Sequence, residues 1–275
     1  MRYGLREIAN VMLKAKVDGQ KVGNKSFKKG QPVCHFTTLK TSTIEGAATT
    51  VYAQGGRGNP RLIAWEGERT LTLTMEDALI SPMGIAILTG AGLIESGTEH
   101  TVMTHYVENV DADSTGAFKT TKAPSTKEAM WYSLLDEEGN PTGDFVEVTV
   151  PAQTITGVPE GTSSIVVDYY FEEKGENVAT HIDIEPGKFG GNYYLEAETL
   201  FRDESTGRDD AAEFILPNCR VQSNFSFTMA PTGDPSTFTF TIDAFPGVVK
   251  GMGSKKVLCA IQIVNESDVE EEAGE

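Results

Sequence analysis

The 275-residue sequence predicts an all-β protein, a β-sandwich or barrel with one short flanking α-helix and long hairpins. Three observations carry this prediction. Apolar and polar residues alternate in run after run, the two-residue period of a strand with one buried face. The runs recur at spacings of roughly 8–15 residues with turn chemistry between them, as in sandwiches and barrels. Only one segment carries a full set of helix-boundary signals.

Alternation begins in Glu7–Leu13 and resumes in Val33–Leu39 and Thr49–Ala53. Between the first two runs, Asp18–Pro32 is rich in Lys and Gly and nearly without apolar side chains, which predicts a long loop. The stretch Tyr52–Leu88 predicts loop, strand, strand, cap and short helix. Its loop is Gly55-Gly56-Arg57-Gly58, and its strands are the apolar run Leu62–Trp65 and the alternation Thr70–Met75. Ser81 suits the cap, Pro82 the first helical position and Gly90 the terminator. A helix this short must be held by packing on the sheet, and Gly84 inside it costs up to about 1 kcal/mol against Ala.

Further strands are predicted at Thr101–Val107, Met130–Leu135, Phe145–Val150, Ser164–Phe171 and Thr180–Ile184. A second helix signal lies at Ser125–Trp131, and a composition shift at Asp111–Pro124 marks a linker or a long loop. The last third is densest, with Tyr193–Phe201, Ala211–Leu216, Arg220–Met229, Thr237–Ala244 and Lys256–Val264. Glu138-Gly139-Asn140-Pro141, Ser205-Thr206-Gly207 and Gly233-Asp234-Pro235 read as hairpin turns. Ser267–Glu275 is an acidic tail, expected to fray. No repeat of fixed period is present, and a single domain over residues 1–275 is expected.

Charge is uneven. Residues 1–30 hold eight Lys/Arg against Glu7 and Asp18, a net of +6, and the remaining 245 residues carry −23, which together make the overall −17. So acidic a body repels nucleic-acid phosphate, although acidity also serves plain solubility. Cys34, Cys219 and Cys259 are far apart, odd in number and without metal spacing, and are expected to be reduced thiols of a protein made in the cytoplasm. No run reaches the ~18–20 apolar residues of a membrane span, and the charged N-terminus lacks a signal-peptide core.

The motifs point away from catalysis. Gly55–Gly58 lacks the Lys-Ser/Thr of a phosphate loop, so it reads as a tight turn needing positive φ. Asp111-Ala112-Asp113-Ser114-Thr115-Gly116 opens like a calcium loop, but its twelfth position is Lys122 where a bidentate Glu is required. Asp203–Asp210 reads as an exposed, charged hairpin tip. His35, His100, His105 and His181 form no HExxH pair or triad context, and there is no GxSxG. No cofactor and no enzymatic activity are expected. In Asn192–Phe201, Tyr193, Leu195, Ala197, Thr199 and Phe201 share one strand face, and Tyr194, Glu196, Glu198 and Leu200 the other. Glu213 lies across the hairpin that turns at Ser205–Gly207.

Several ordered pieces resemble the tail tube (major tail) protein family of bacterial viruses. They are Arg6-Glu7-Ile8-Ala9-Asn10-Val11, Lys40–Gly46, the Gly-rich loop with Asn59-Pro60-Arg61-Leu62-Ile63, and the helix after Glu76-Asp77-Ala78-Leu79. Phe201-Arg202-Asp203 with Ser205–Arg208, Phe214–Pro217 and Gly233–Phe238 complete the set. The resemblance implies six copies in a ring, rings stacked into a hollow tube, and long hairpins joined into one inter-subunit β-barrel around a lumen through which DNA passes. It implies a virion protein assembled in the host cytoplasm, whose partners are itself, other tail proteins including a sheath, and transiting DNA that it does not bind specifically. Under it, Glu196, Glu198 and Glu213 are the candidates to face the lumen. Lys21, Lys25, Lys28, Lys29, Gly55, Gly56 and Arg57 are the candidates for inter-subunit contact. The chain is longer than simple tube proteins, so residues from about Glu95 to Thr162 are expected to include a surface insertion. The competing readings are a sheath, terminator or baseplate-hub component, and a β-sandwich module binding carbohydrate or host surface. Clustered exposed aromatics would favour that module.

Overall fold

Alternating side-chain burial becomes antiparallel strand throughout a computed structural model, which describes residues 2–5, 7–226, 231–232 and 237–264. Arg6, residues 227–229 of one expected strand, the Gly233-Asp234-Pro235 turn and the Ser267–Glu275 tail lie outside the described residues. By its own contacts the chain divides into two compact units, residues 1–93 with 182–275, and residues 94–181.

The first unit opens with β1 (Tyr3–Leu5), β2 (Asn10–Ala15), β3 (Gln20–Val22), β4 (Lys25–Phe27), β5 (Pro32–Phe36), β6 (Leu39–Gln54) and β7 (Arg61–Asp77). The helix α1 (Pro82–Thr89) and β8 (Gly92–Glu95) follow. The second unit carries β9 (Val102–Asp111), β10 (Phe118–Lys119), β11 (Trp131–Leu134), β12 (Val146–Glu147), β13 (Thr154–Ile155) and β14 (Ser164–Glu173). The chain returns through β15 (Thr180–Asp183) to β16 (Asn192–Asp203), β17 (Asp209–Val221), β18 (Phe238–Ala244), β19 (Gly247–Val248), β20 (Lys256–Val257) and β21 (Ala260–Val264).

In the first unit a nine-stranded sheet runs β5-β2-β16-β17-β18-β7-β6, with β1 on β16 and β21 on β17. Its packed face supplies Val11, Leu13, Leu73, Met75, Tyr193, Leu195, Ala197, Leu216 and Ile242, and Ala86, Ile87 and Leu88 of α1 join the same core. The helix boundaries follow their chemistry. Ser81 Oγ accepts the Gly84 N–H at 2.9 Å, Pro82 takes the first turn, and Gly90 closes the helix at φ +71° with its N–H on the Ala86 carbonyl. Gly90 is also a crossing point, since a Cβ there would stand 2.5 Å from the Phe189 carbonyl carbon.

Three local expectations are corrected. Asp18–Pro32 is not a bare loop but contains the β3–β4 hairpin, anchored by Val22 and Phe27 in the core. Two apolar side chains, one just before the Gly23-Asn24 turn and one three residues after it, are too sparse to register as alternation, yet suffice once the core lies beneath them. Leu62–Trp65 and Thr70–Met75 belong to one continuous strand, β7, because Gly67 does not turn. Instead a bulge in β7, where Gly67 and Glu68 together face Thr49 of β6, absorbs the irregularity, with Thr49 Oγ1 accepting the Glu68 N–H at 2.9 Å. Ser125–Trp131 forms no helix. Ser125 N–H bonds the Tyr170 carbonyl and the Met130 carbonyl accepts from Val148, so sheet partners take the groups a helix would use.

The second unit is a four-stranded sheet, β12-β11-β14-β9, with β10 and β13 paired beside it. Val110, Phe118, Met130, Tyr132, Val148, Ile155, Ile165, Val167 and Tyr169 form its own core. The Asp111–Pro124 stretch is a hairpin turn leading into β10. Asp113 Oδ1 accepts from the Thr115 and Ala117 N–H groups and the Thr115 hydroxyl, which holds its carboxyl below the usual range.

Candidate functional site

The expected acidic residues come together on one face of the nine-stranded sheet. The odd-numbered side chains of β16 from Tyr193 are buried; on its other face Glu198, Leu200 and Arg202 are exposed, Glu196 is half-buried and Tyr194 is buried. Register sets Glu198 directly opposite Glu213 on β17 and Asn10 on β2, and Glu196 opposite Ile215 and Met12. Lys14, on the same face, forms an ion pair with Glu196. At one end of this face Tyr194 and Ile215 are covered by Val249, with the Lys250 ammonium 4.6 Å from the Tyr194 ring centre. That leaves Glu196, Glu198 and Glu213 as the charged stretch. Burial first, then the charges of Glu196 and Glu198, raise the Glu213 carboxyl above its ordinary pKa, against the pull of Lys14. Like charges directly opposite on neighbouring strands destabilise a sheet.

The hairpin joining these strands is held by side-chain chemistry. Asp203 accepts the Ser205 and Thr206 N–H groups at 2.6 and 3.0 Å, Gly207 adopts φ +70°, and Arg202 clamps Asp209 with two bonds of 2.6 and 2.7 Å.

Lys21, Lys25, Lys28 and Lys29 are all exposed on or beside the β3–β4 hairpin. Burial of Val22 and Phe27 fixes the strands, and Asp18 Oδ1 accepts the Lys29 N–H at 2.9 Å, so the four ammonium groups project from a shaped element.

Gly55, Gly56 and Arg57 occupy the tip of the β6–β7 hairpin. Gly56 and Gly58 take φ +85° and +88°, and Asn59 +48°, the left-handed conformations a tight turn demands. Below the tip lies a feature that composition alone did not reveal. Every residue from Glu45 to Tyr52 and from Arg61 to Thr70 is exposed. The two strands leave the sheet as a free ribbon, about 30 Å long at strand rise. Val51 sits opposite Trp65 and Ala53 opposite Ile63 on one face of it. Val51, Ile63 and Trp65 are 62, 55 and 53% exposed. The only hint in the sequence is the unbroken run Leu62–Trp65, which a one-faced strand does not explain.

Other reactive groups are dispersed. The four histidines are exposed. Burial pushes the Cys219 thiol up to about 12 and Cys34 to about 11, so both are protonated and inert. Among the described residues no group of three or more His, Cys, Asp or Glu is placed to hold a metal, and no helix is long and apolar enough to cross a membrane.

No curated protein matches the sequence. The model of the YomU/Tube protein family matches residues 4–254, nearly the whole chain. With an all-β body that carries a long two-stranded ribbon and an acidic stretch on one sheet face, the chain belongs to the YomU/Tube protein family.

Proposed function

We propose that this chain is the subunit of a phage tail tube: six copies close into a ring, rings stack into a hollow conduit, and viral DNA leaves through the lumen. The observation that carries the proposal is the free β6–β7 ribbon. An isolated two-stranded ribbon is marginal in water, and exposed strand edges with apolar side chains are aggregation-prone unless another chain covers them. Stacked copies supply that cover, with Gly55, Gly56 and Arg57 reaching the neighbour and Lys21, Lys25, Lys28 and Lys29 meeting acidic surface on it.

In this reading Glu196, Glu198 and Glu213 line the lumen. Their mutual repulsion is a cost to the subunit that a conduit for DNA accounts for, since a ring of carboxylates keeps phosphates from adhering. Other tail proteins are its further partners, and assembly takes place in the host cytoplasm. Negative-stain electron microscopy of the purified protein tests the core of the proposal. Rings or hollow tubes are expected, and a monodisperse monomer at high concentration across salt conditions overturns it. Glu198→Lys tests the lumen separately, because Glu198 is exposed and forms no ion pair across the described residues. Tubes are expected to form normally while DNA passage slows, more at low salt than at high. Normal passage together with failed assembly would make Glu198 an interface residue instead.

A further inference from the structure

The second unit packs one face of its four-stranded sheet into its core; on the other face Ser133 and Val166 are covered as well, and the rows beyond them are solvated. Strand register brings together there residues that are far apart in sequence. Trp131 on β11 stands opposite Asp168 on β14, which stands opposite Val107 on β9. In the next row Tyr170 stands opposite His105, their ring centres 5.1 Å apart. Glu147 on β12 flanks Trp131 on the other side. None of these side chains belongs to the core of the unit, which lies on the opposite face. Trp131 and Tyr170 are each 37% exposed and Val107 50%. Folding alone does not require an indole, a phenol and an imidazole on a solvated face.

We propose that this face is a binding platform for neutral carbohydrate, specifically polymers of pyranose rings with equatorial substituents. The charge and the size of the patch choose this occupant. The face carries Glu147, Asp168 and Glu172 against Lys127 and Lys174, whose charges are taken up by Glu172, so it lacks the excess of cations that a phosphate-bearing ligand such as nucleic acid needs. Glu172 is held between Lys127 and Lys174, and those two bonds lower its carboxyl to about 2, so it stays charged. Three strands at ~4.8 Å spacing make an aromatic strip only about 10 Å wide, the breadth of a small ligand rather than of a protein partner. A flat sugar ring fits such a strip. Its apolar C–H face stacks on the indole and phenol, as aromatic side chains with a polar handle favour ligands that are apolar on one side and wet on the other. Its rim hydroxyls donate to Asp168 and Glu147, and Asp168 is oriented for this by His105 Nε2 at 3.1 Å. Trp131 and Tyr170 are diagonal neighbours, about 7–8 Å apart in such a sheet, the scale of a disaccharide. A ring with only equatorial substituents can stack through either face, whereas an axial hydroxyl blocks one of them, which favours gluco-configured sugars.

The chain has two tryptophans, so Trp65→Phe leaves Trp131 as the sole indole reporter in the full-length protein. Its fluorescence is titrated with hexamers of β-1,4-linked glucose and of β-1,4-linked N-acetylglucosamine, and with a single-stranded DNA oligonucleotide. A saturable change with at least one hexamer and none with DNA is expected. Tyr170→Ala is expected to weaken it at least tenfold, Tyr170→Phe to retain it, and Asp168→Asn to weaken it with the ring platform intact. Absence of a saturable response to either hexamer, an equal response to DNA, or full affinity in both Tyr170→Ala and Asp168→Asn overturns the proposal. The readout is independent of whether the protein forms tubes.

Discussion

Replacing Val51, Ile63 and Trp65 together by Thr should separate assembly from folding. The three side chains lie on one face of the free ribbon and are 62, 55 and 53% exposed in the isolated subunit. Fully burying such a side chain is worth about 1.5–3 kcal/mol, so covering the half that remains exposed is worth ~1 kcal/mol each. The sum, ~3 kcal/mol for each ribbon, corresponds to roughly a hundredfold in association constant. Threonine keeps the strand propensity of the ribbon, so its local conformation is retained. The concentration at which tubes appear, read by light scattering and confirmed by sedimentation, should therefore rise by about two powers of ten. The unfolding midpoint of the unassembled subunit should change little, because these groups pack on nothing in the core. An unchanged threshold would refute the ribbon as an interface. A subunit destabilised by several kcal/mol would show that the apolar groups serve folding rather than contact.

Gly90→Ala should cost more than 2 kcal/mol in urea unfolding, combining the ~1–2 kcal/mol of a left-handed residue with the clash against Phe189. Gly58→Ala, at φ +88° with nothing within 4 Å, should cost only the ~1–2 kcal/mol of its conformation, and equal losses would contradict the close approach at Gly90. A carboxyl whose pKa is raised on folding, as that of Glu213 is, makes stability fall as pH rises from the unfolded value through the folded one. Glu213→Gln should thus raise the melting temperature of the unassembled subunit near pH 7 and leave it unchanged below about pH 4; a loss of stability near pH 7 would contradict the repulsion described. Replacing Lys21, Lys25, Lys28 and Lys29 by Gln should raise the assembly threshold at low salt and converge with the natural protein at ~1 M salt, where screening reaches about 3 Å. Identical thresholds at low salt would remove these lysines from the interface.

Much of the fold was legible because its elements carry local signals. The helix is bounded by Ser81, Pro82 and Gly90, each acting through one or two backbone bonds within four residues. The Asn192–Phe201 alternation assigned Tyr193, Leu195, Ala197, Thr199 and Phe201 to the buried face, because strand geometry sends odd and even residues to opposite sides, but not the burial of Tyr194, which Val249 covers from the other side. The β3–β4 hairpin escaped notice because its anchors, Val22 and Phe27, are two apolar residues in a Lys-rich stretch. The single span of β7 was hidden because Gly67 has the chemistry of a turn, and only pairing with β6 holds it extended.

By itself, then, the sequence determined the all-β class, the helix, the turn chemistry and the separation of acidic from apolar faces, since each depends on residues within a few positions of one another. Only the tertiary structure decided three things that depend on register between distant strands. It placed Glu198 beside Glu213 and Lys14 against Glu196. Among the described residues it left the β6–β7 ribbon without a covering strand over residues 45–52 and 61–70. It also gathered Trp131, His105 and Tyr170 on one face, where the sequence holds them on three separate strands. The physical reason is the same in each case. Which strands become neighbours is set by the burial of the whole core, and no window of sequence short enough to show periodicity contains that information.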